Sequence, residues 1–152
     1  MGGTPWTIAI VIDSTLHPRS SLHVQNSQRF NHGQGFVIGY QWTNIVININ
    51  GSMTPLPPIP FLLKNKCKRR GVAYRTEHDR LELYLEQLKL SAIAGMYEDD
   101  EVVVLTDSGY DGKTLQNAIL SRGWDFLTSL KSSRESRSLN QENGYRRVDN
   151  LF

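Results

Sequence analysis

The chain has 152 residues, a single cysteine and a formal net charge of +2, with a sequence pI of about 8.8. This length suits one well-buried domain and is short for two. One cysteine excludes an intrachain disulfide and the paired-cysteine zinc patterns. No apolar run is long enough to cross a membrane and no signal peptide is recognisable, so we expect a cytoplasmic protein without a membrane partner.

Strand-like apolar runs dominate the first third of the chain. They cover residues 7–12, 35–42 and 45–49. The polar stretch 16–33 between the first two is interpreted as a loop, and Gly39 as a bulge or a close backbone approach. Residues 43–44 predict a tight turn, and Asn50 with Gly51 closes the third strand. Three strands with short links predict an antiparallel meander.

Prolines and then helical periodicity mark the middle of the chain. The four prolines between Pro55 and Pro60 exclude a helix or a central strand there, so 52–73 is predicted to be an extended excursion. Residues 76–96 predict the longest helix, with Thr76 as its N-cap and Asp79 completing a weak capping box. Its predicted inward positions follow helical spacing. They are Leu81, Leu85, Leu88 and Ala92.

The remaining elements alternate between strand and helix. We predict a strand at 102–105, a turn at 108–112, a helix at 113–122 stopped by Gly123, and a strand at 124–130. The order β-β-β-α-β-α-β predicts an α/β fold with a mixed sheet and right-handed crossovers. In the ribonuclease H-like arrangement, which has this order, the first and fourth strands are central neighbours. Residues 5–131 would form this domain, and the polar segment 132–152 a flexible tail or the start of an insertion.

Two aspartates follow apolar strands. Asp13 comes after Ile12 and Asp107 after Thr106. Ligands of open α/β sheets bind at the carboxyl ends of strands, and carboxylates are the oxygen ligands that hard divalent cations prefer. An aspartate in such a position can also be only a turn former or a helix N-cap. The presence of two, each followed by small polar residues, favours a shared metal site.

Basic residues form two clusters, which suit contacts to a DNA backbone. The first comprises Lys64, Lys66, Lys68, Arg69, Arg70 and Arg75, and the second Lys131, Arg134, Arg137, Arg146 and Arg147. A solvated surface is the alternative for each cluster. Phosphate contact would make binding insensitive to sequence and strongly salt-dependent.

Five segments follow one another along the chain: Val11–Thr15, the stretch Gly33…Gly39-Tyr-Gln-Trp42, Pro58–Leu62, Val103–Asp111 and Ile119–Lys131. In this order they resemble the DDE transposases of bacterial insertion sequences, in the class whose last acid lies in a Tyr…Arg…Glu…Lys signature. The resemblance implies a ribonuclease H-like core in which Asp13 is the first catalytic acid and Asp107 the second. It also implies a two-metal Mg²⁺ or Mn²⁺ site, transposon-end and target DNA as partners, and a homodimer of the full-length protein. Lys131 matches a basic residue that the family places near the active site, where it would contact a phosphate.

The third acid of that family is not visible. No Tyr…Arg…Glu signature is present, and Glu135 and Glu142 lie in the polar tail without a helical context. We therefore expect an incomplete, inactive catalytic core with weak metal binding. The alternative is a non-catalytic nucleic-acid-binding remnant on the same fold. A phosphatase with Asp13 as nucleophile is disfavoured, because Thr15 stands where such enzymes have a second aspartate.

Overall fold

The computed structural model describes residues 8–20, 23, 27–94, 101–129, 135–136 and 146–147. Its strands are β1 (Ile8–Pro18), β2 (Gln28–His32), β3 (Gly35–Ile49), β4 (Ser52–Pro55), β5 (Ile59–Pro60), β6 (Val102–Thr106), β7 (Asp125–Thr128), β8 (Glu135–Ser136) and β9 (Arg146–Arg147). Its helices are α1 (Lys64–Arg70), α2 (Glu77–Gln87), α3 (Leu90–Ala94) and α4 (Lys113–Ser121), with a 3₁₀ turn at Ser108–Tyr110.

The main sheet is open and mixed, as the sequence predicts. Its strand order is β2-β3-β1-β6-β7, and β4 and β5 also pair with β3. Strand β1 runs antiparallel to β3 and parallel to β6, and β6 runs parallel to β7. The two strands that carry the candidate acids are therefore direct neighbours. Asp107 follows β6 as predicted, whereas Asp13 lies within β1, because this strand continues beyond its apolar run.

The hydrophobic core lies between one face of this sheet and the helices α2 and α4. Alternate residues of β1, namely Ile8, Ile10 and Ile12, are buried in it. Helix residues at helical spacing, among them Leu81, Leu85, Leu115 and Ile119, cover them. Residues on the other face become half-exposed towards the carboxyl ends of the parallel strands, as at Val11 and Leu105.

The predicted loop and meander are wrong in detail. Strand β1 continues to Pro18, β2 lies within the predicted loop, and β3 runs unbroken through the predicted turn at 43–44. No turn forms there because Thr43 is buried and bonded to Glu77, while the Asn44 amide donates to Thr15 Oγ1 on β1 at 2.6 Å. The hairpin turn lies later, at Asn50 and Gly51, which both have positive φ.

The prediction of a close approach at Gly39 is confirmed. A Cβ atom built on this residue would collide with the carbonyl oxygen of His17 on β1. Glycine therefore allows the extended ends of β1 and β3 to lie against each other.

The middle of the chain also differs from the prediction. The extended excursion contains the two short edge strands β4 and β5 but ends in helix α1, which carries the basic cluster. The predicted long helix is interrupted at Leu88, which has extended backbone (φ −67°, ψ 120°). The capping box of Thr76 and Asp79 is confirmed, and Leu81, Leu85 and Leu88 are buried, but Ala92, beyond the break, is exposed.

The second half follows the prediction closely. The strand at β6, the helix at α4 and its end near Gly123 (φ +74°) are all present. Strand β7 is shorter than predicted, and Leu130 and Lys131 lie outside the described residues. Of the predicted tail 132–152, the structure describes only the paired strands β8 and β9. Within the described ranges no helix is both long and apolar enough to span a bilayer.

Candidate metal and nucleic-acid site

Asp13 and Asp107 lie on the same face of the sheet, where the parallel pairing of β1 with β6 ends. The last paired residues of β1 and β6 are Val11 and Leu105, so continuing this register by two residues sets Asp13 opposite Asp107. The backbone of Asp107 is still extended (φ −85°, ψ 178°). Neighbouring strands lie about 4.8 Å apart, and both side chains are exposed on the face opposite to Ile12.

Each carboxylate is oriented by a backbone amide. The Ser14 amide donates to Asp13 Oδ1 at 2.9 Å, and the Gly109 amide donates to Asp107 Oδ1 at 2.8 Å. Asp107 thereby caps the 3₁₀ turn, and a Cβ at position 109 would stand 3.0 Å from that same oxygen. The Thr128 hydroxyl donates to the Asp107 carbonyl at 2.7 Å, which ties this turn to β7.

The donor set fits a weakly held hard cation. One oxygen of each carboxylate accepts a backbone hydrogen bond, and the second oxygen is left without a hydrogen bond among the described residues. Mg²⁺ commonly binds through one or two carboxylates, retains several waters and shares ligands with substrate phosphate. Within the described ranges, no group of three or more Asp, Glu, His or Cys residues is arranged to hold a metal ion.

A buried polar network lies beside the turn that Asp107 caps, on the core face of the sheet. Glu77 Oε1 accepts hydrogen bonds from the Tyr110 hydroxyl at 2.7 Å and from the Thr43 hydroxyl at 2.8 Å. The Gln41 amide donates to Glu77 Oε2 at 3.3 Å. These bonds connect the start of α2 to β3 and to the turn that carries Asp107.

Tyr110 connects this network to the turn that carries Asp107. Its ring is buried and stacks on His78, and His78 Nε2 lies 2.9 Å from the Gly109 carbonyl oxygen. Burial, followed by the hydrogen bond and the charge of Glu77, raises the pKa of Tyr110 well above its ordinary value. The phenol therefore stays protonated and donates to Glu77 at neutral pH, which holds the Asp107 turn against α2.

Sequence reasoning missed Glu77 as part of this region. Glu77 directly follows the N-cap Thr76, where an acidic residue is expected for favourable interaction with the helix dipole alone. The position carries no pattern that predicts a bond to a tyrosine 33 residues later.

Five of the predicted DNA-contacting residues lie on one helix, α1: Lys64, Lys66, Lys68, Arg69 and Arg70. Lys64, Lys68, Arg69 and Arg70 are exposed on α1, whereas Lys66 is half-buried and Cys67 is buried. The three basic residues of the last turn, Lys68 to Arg70, complement the negative end of the helix dipole. Helix α1 is thus a compact cationic surface, and Lys131 lies outside the described residues.

Comparisons with known proteins give only a distant structural similarity. No protein-family model matches the chain, and no curated protein matches it. A solved structure, the cryo-EM synaptic complex of piggyBac transposase with hairpin DNA, aligns with 93% of this chain at 14% sequence identity and a TM-score of 0.44. This chain spans about 25% of the length of that protein's chain.

Proposed function

We propose that this chain is part of the catalytic core of a metal-dependent DNA transposase, in which Asp13 and Asp107 are two of the catalytic acids. The observation that carries the proposal is their position on the same face, where the parallel pairing of β1 with β6 ends. Asp107 directly follows β6, and Asp13 lies within β1, two residues beyond the last β1 residue that pairs with β6. The resemblance to the DDE transposases of bacterial insertion sequences, and to their ribonuclease H-like core, belongs to the same proposal. So do transposon-end DNA as the substrate and a dimer of the full-length protein.

The chemistry follows from the donor set. Mg²⁺ or Mn²⁺ held between the two carboxylates would activate a water or a 3′-hydroxyl and stabilise the leaving oxygen of a phosphodiester. The protein contributes orientation, because the Ser14 and Gly109 amides fix the two carboxylates. Helix α1 contributes positive charge that holds the DNA backbone. Two acids without a third predict weak metal binding and little or no strand cleavage by this chain.

The decisive experiment replaces each aspartate by asparagine. Asparagine is as good an N-cap as aspartate and can accept the same backbone hydrogen bond, but it lacks the charge that binds a cation. Titration of Mn²⁺ into the full chain, followed by ¹H–¹⁵N NMR, should broaden the resonances around Asp13 and Asp107 together. We expect Asp13→Asn and Asp107→Asn each to abolish most of that broadening while the spectra stay folded.

A matched control is Glu86→Gln, which removes a carboxylate from the exposed side of α2 and should leave the broadening unchanged. The proposal is wrong if Mn²⁺ broadens neither region in the unsubstituted chain, or if both asparagine variants respond as the unsubstituted chain does. Nicking of supercoiled DNA with Mn²⁺ that survives Asp13→Asn would also contradict it.

A second candidate is a nucleic-acid-binding remnant in which the two acids only shape the backbone. The hydrogen bond that makes Asp107 the cap of the 3₁₀ turn favours this candidate. It predicts that both asparagine variants bind DNA as tightly as the parent chain and that Mn²⁺ broadens neither region.

A further inference from the structure

One face of β3 carries aromatic side chains at alternate positions. Phe36, Tyr40 and Trp42 are separated by even intervals, so they share the face of the sheet that points away from the helical core. Phe36 is 50% exposed, and Tyr40 and Trp42 are half-buried. We call these three residues the aromatic platform.

Each aromatic ring of the platform has a basic or imidazole group from a neighbouring segment beside it. The Arg29 guanidinium lies 3.7 Å from the centroid of the Phe36 ring, and the Arg19 guanidinium lies 5.2 Å from that of Tyr40. The rings of His17 and Trp42 are 6.0 Å apart. Cations interleaved with exposed aromatic rings combine attraction for phosphates with surfaces on which bases stack.

A cavity of about 390 Å³ opens beside the platform. It lies at the edge of β3, and Tyr40, Trp42, Phe61 and Arg70 are among its lining residues. Arg70 is the last residue of the cationic helix α1. The cavity is large enough to take a planar ring, and its position joins the platform to the basic surface of α1.

The platform also leads to the candidate metal site. Along β1, the residues paired with Asn44, Trp42 and Tyr40 are Asp13, Thr15 and His17. Cross-strand partners share a face, and two residues of a strand span about 7 Å. Trp42 therefore lies about 7 Å along the sheet from Asp13, and Tyr40 about 14 Å.

We propose that the aromatic platform is a binding site for the unpaired bases of single-stranded DNA, with their phosphates on Arg19, Arg29 and α1. Exposed aromatic rings stack only on bases that are not held in a duplex, and the flanking charges are complementary to a polyanion. The identity of the nucleic acid as DNA rests on the proposed function. Base stacking itself requires neither metal nor the two aspartates.

The test measures fluorescence anisotropy of labelled oligonucleotides with the full chain in EDTA. Three ligands are compared: a 15-nucleotide thymidine strand, the same strand with abasic residues at its centre, and a duplex of equal length. We expect the intact strand to bind about 5- to 100-fold more tightly than the abasic strand. Trp42→Ala should remove most of that difference, and Trp42→Phe should retain most of it.

Two further variants serve as a control and as a second test of the aromatic platform. Leu127→Ala shortens a 51% exposed side chain at the far edge of the sheet and should change nothing. Phe36→Ala removes an exposed ring and should weaken binding of the intact strand about fivefold, which also tests the platform if Trp42→Ala does not fold. The proposal is overturned if the unsubstituted chain binds intact and abasic strands equally, or if the alanine variants weaken both strands to the same extent. Because EDTA removes divalent cations, failure of the metal site cannot produce either result.

Discussion

At the scale of single residues, the arrangement near Asp107 depends on a carboxylate and a phenol that the sequence pattern does not pair. Glu77 receives hydrogen bonds from Tyr110, Thr43 and Gln41. A half-buried carboxylate is stable because these donors replace the water it loses. The bonds link β3 and the 3₁₀ turn to the start of α2, so the network fixes the turn that presents Asp107.

Tyr110→Phe tests this network. Loss of a hydrogen bond to a carboxylate should lower the free energy of unfolding by about 1.5–3 kcal/mol at pH 8. The raised folded pKa of Tyr110 means that the unfolded chain releases this proton first, near pH 10. The stabilisation is therefore complete below pH 10 and is lost as the pH rises towards the folded pKa, by about 1.4 kcal/mol per unit.

Urea denaturation of both proteins between pH 8 and pH 11 measures this effect. The difference between the parent chain and Tyr110→Phe should be constant up to about pH 9.5 and should shrink above it. Tyr74→Phe, at a 42% exposed position, serves as the control and should change stability by less than about 0.5 kcal/mol. A difference for Tyr110→Phe that does not vary with pH would contradict the assigned role of the phenol.

At the scale of elements, the carbonyl groups at the end of α2 are hydrogen-bonded by Arg122, the residue that follows α4. The Arg122 Nη1 atom donates to the Leu85 carbonyl at 2.5 Å and to the Leu88 carbonyl at 2.6 Å. Its guanidinium lies 4.0 Å from the centroid of the Trp124 ring. These contacts satisfy carbonyls that the last turn of a helix leaves unpaired, which explains why the apolar periodicity continues beyond Gln87 but the helix does not.

Arg122→Ala should lower the free energy of unfolding by about 2–3 kcal/mol, because it removes the carbonyl hydrogen bonds and the cation–π contact. Arg122→Lys should recover less than half of this loss, since an ammonium lacks the planar guanidinium that stacks on the Trp124 ring. Denaturant unfolding measures both variants. Lys89→Ala, at an exposed position in the same region, should be nearly neutral, and full stability of Arg122→Lys would show that charge alone is sufficient.

At the scale of the whole molecule, the two faces of the sheet have different characters. Helices α2 and α4 cover one face with the hydrophobic core. The other presents two carboxylates and the aromatic rings along β3, and Arg70 of the cationic helix α1 lines the cavity beside these rings. Because the core lies on the opposite face, the proposed DNA strand would contact the carboxylates and the rings without disturbing it.

The salt dependence of DNA binding should separate α1 from the aromatic platform. Lys68→Ala and Arg69→Ala should each reduce the slope of log K against log salt by about 0.7 for single strands and about 0.9 for duplex. The effect should be the same for intact and abasic strands, because phosphate contacts are insensitive to the bases. Anisotropy titrations at several salt concentrations measure this slope, and Lys89→Ala, which removes one exposed positive charge outside α1, controls for the general change in net charge. An unchanged slope in both basic variants would exclude α1 from the interface.

Most elements of the fold could be predicted because their signals are local. The apolar runs of β1 and β6, the capping box of Thr76 and the helix stop at Gly123 depend on neighbouring residues alone. The polar residues of β2 and the Thr43-Asn44 pair gave the wrong prediction, because cross-strand hydrogen bonds stabilise polar residues in strands that their composition does not favour. The prediction for Lys64–Arg70 was also wrong: these residues were predicted to be extended, and they form helix α1.

The sequence alone determined that two acids stand where apolar runs end and that basic residues cluster after the proline segment, since both facts are matters of order along the chain. Only the tertiary structure decided which strands are neighbours and which side chains share a face. The register of β1 against β3 and β6 aligns Asp13 with Asp107 and with the aromatic platform, and a shift of one residue would send these side chains to the opposite face. Register is fixed by packing over the whole sheet, which is why the network of Glu77 and the platform of Trp42 could not be read from local pattern.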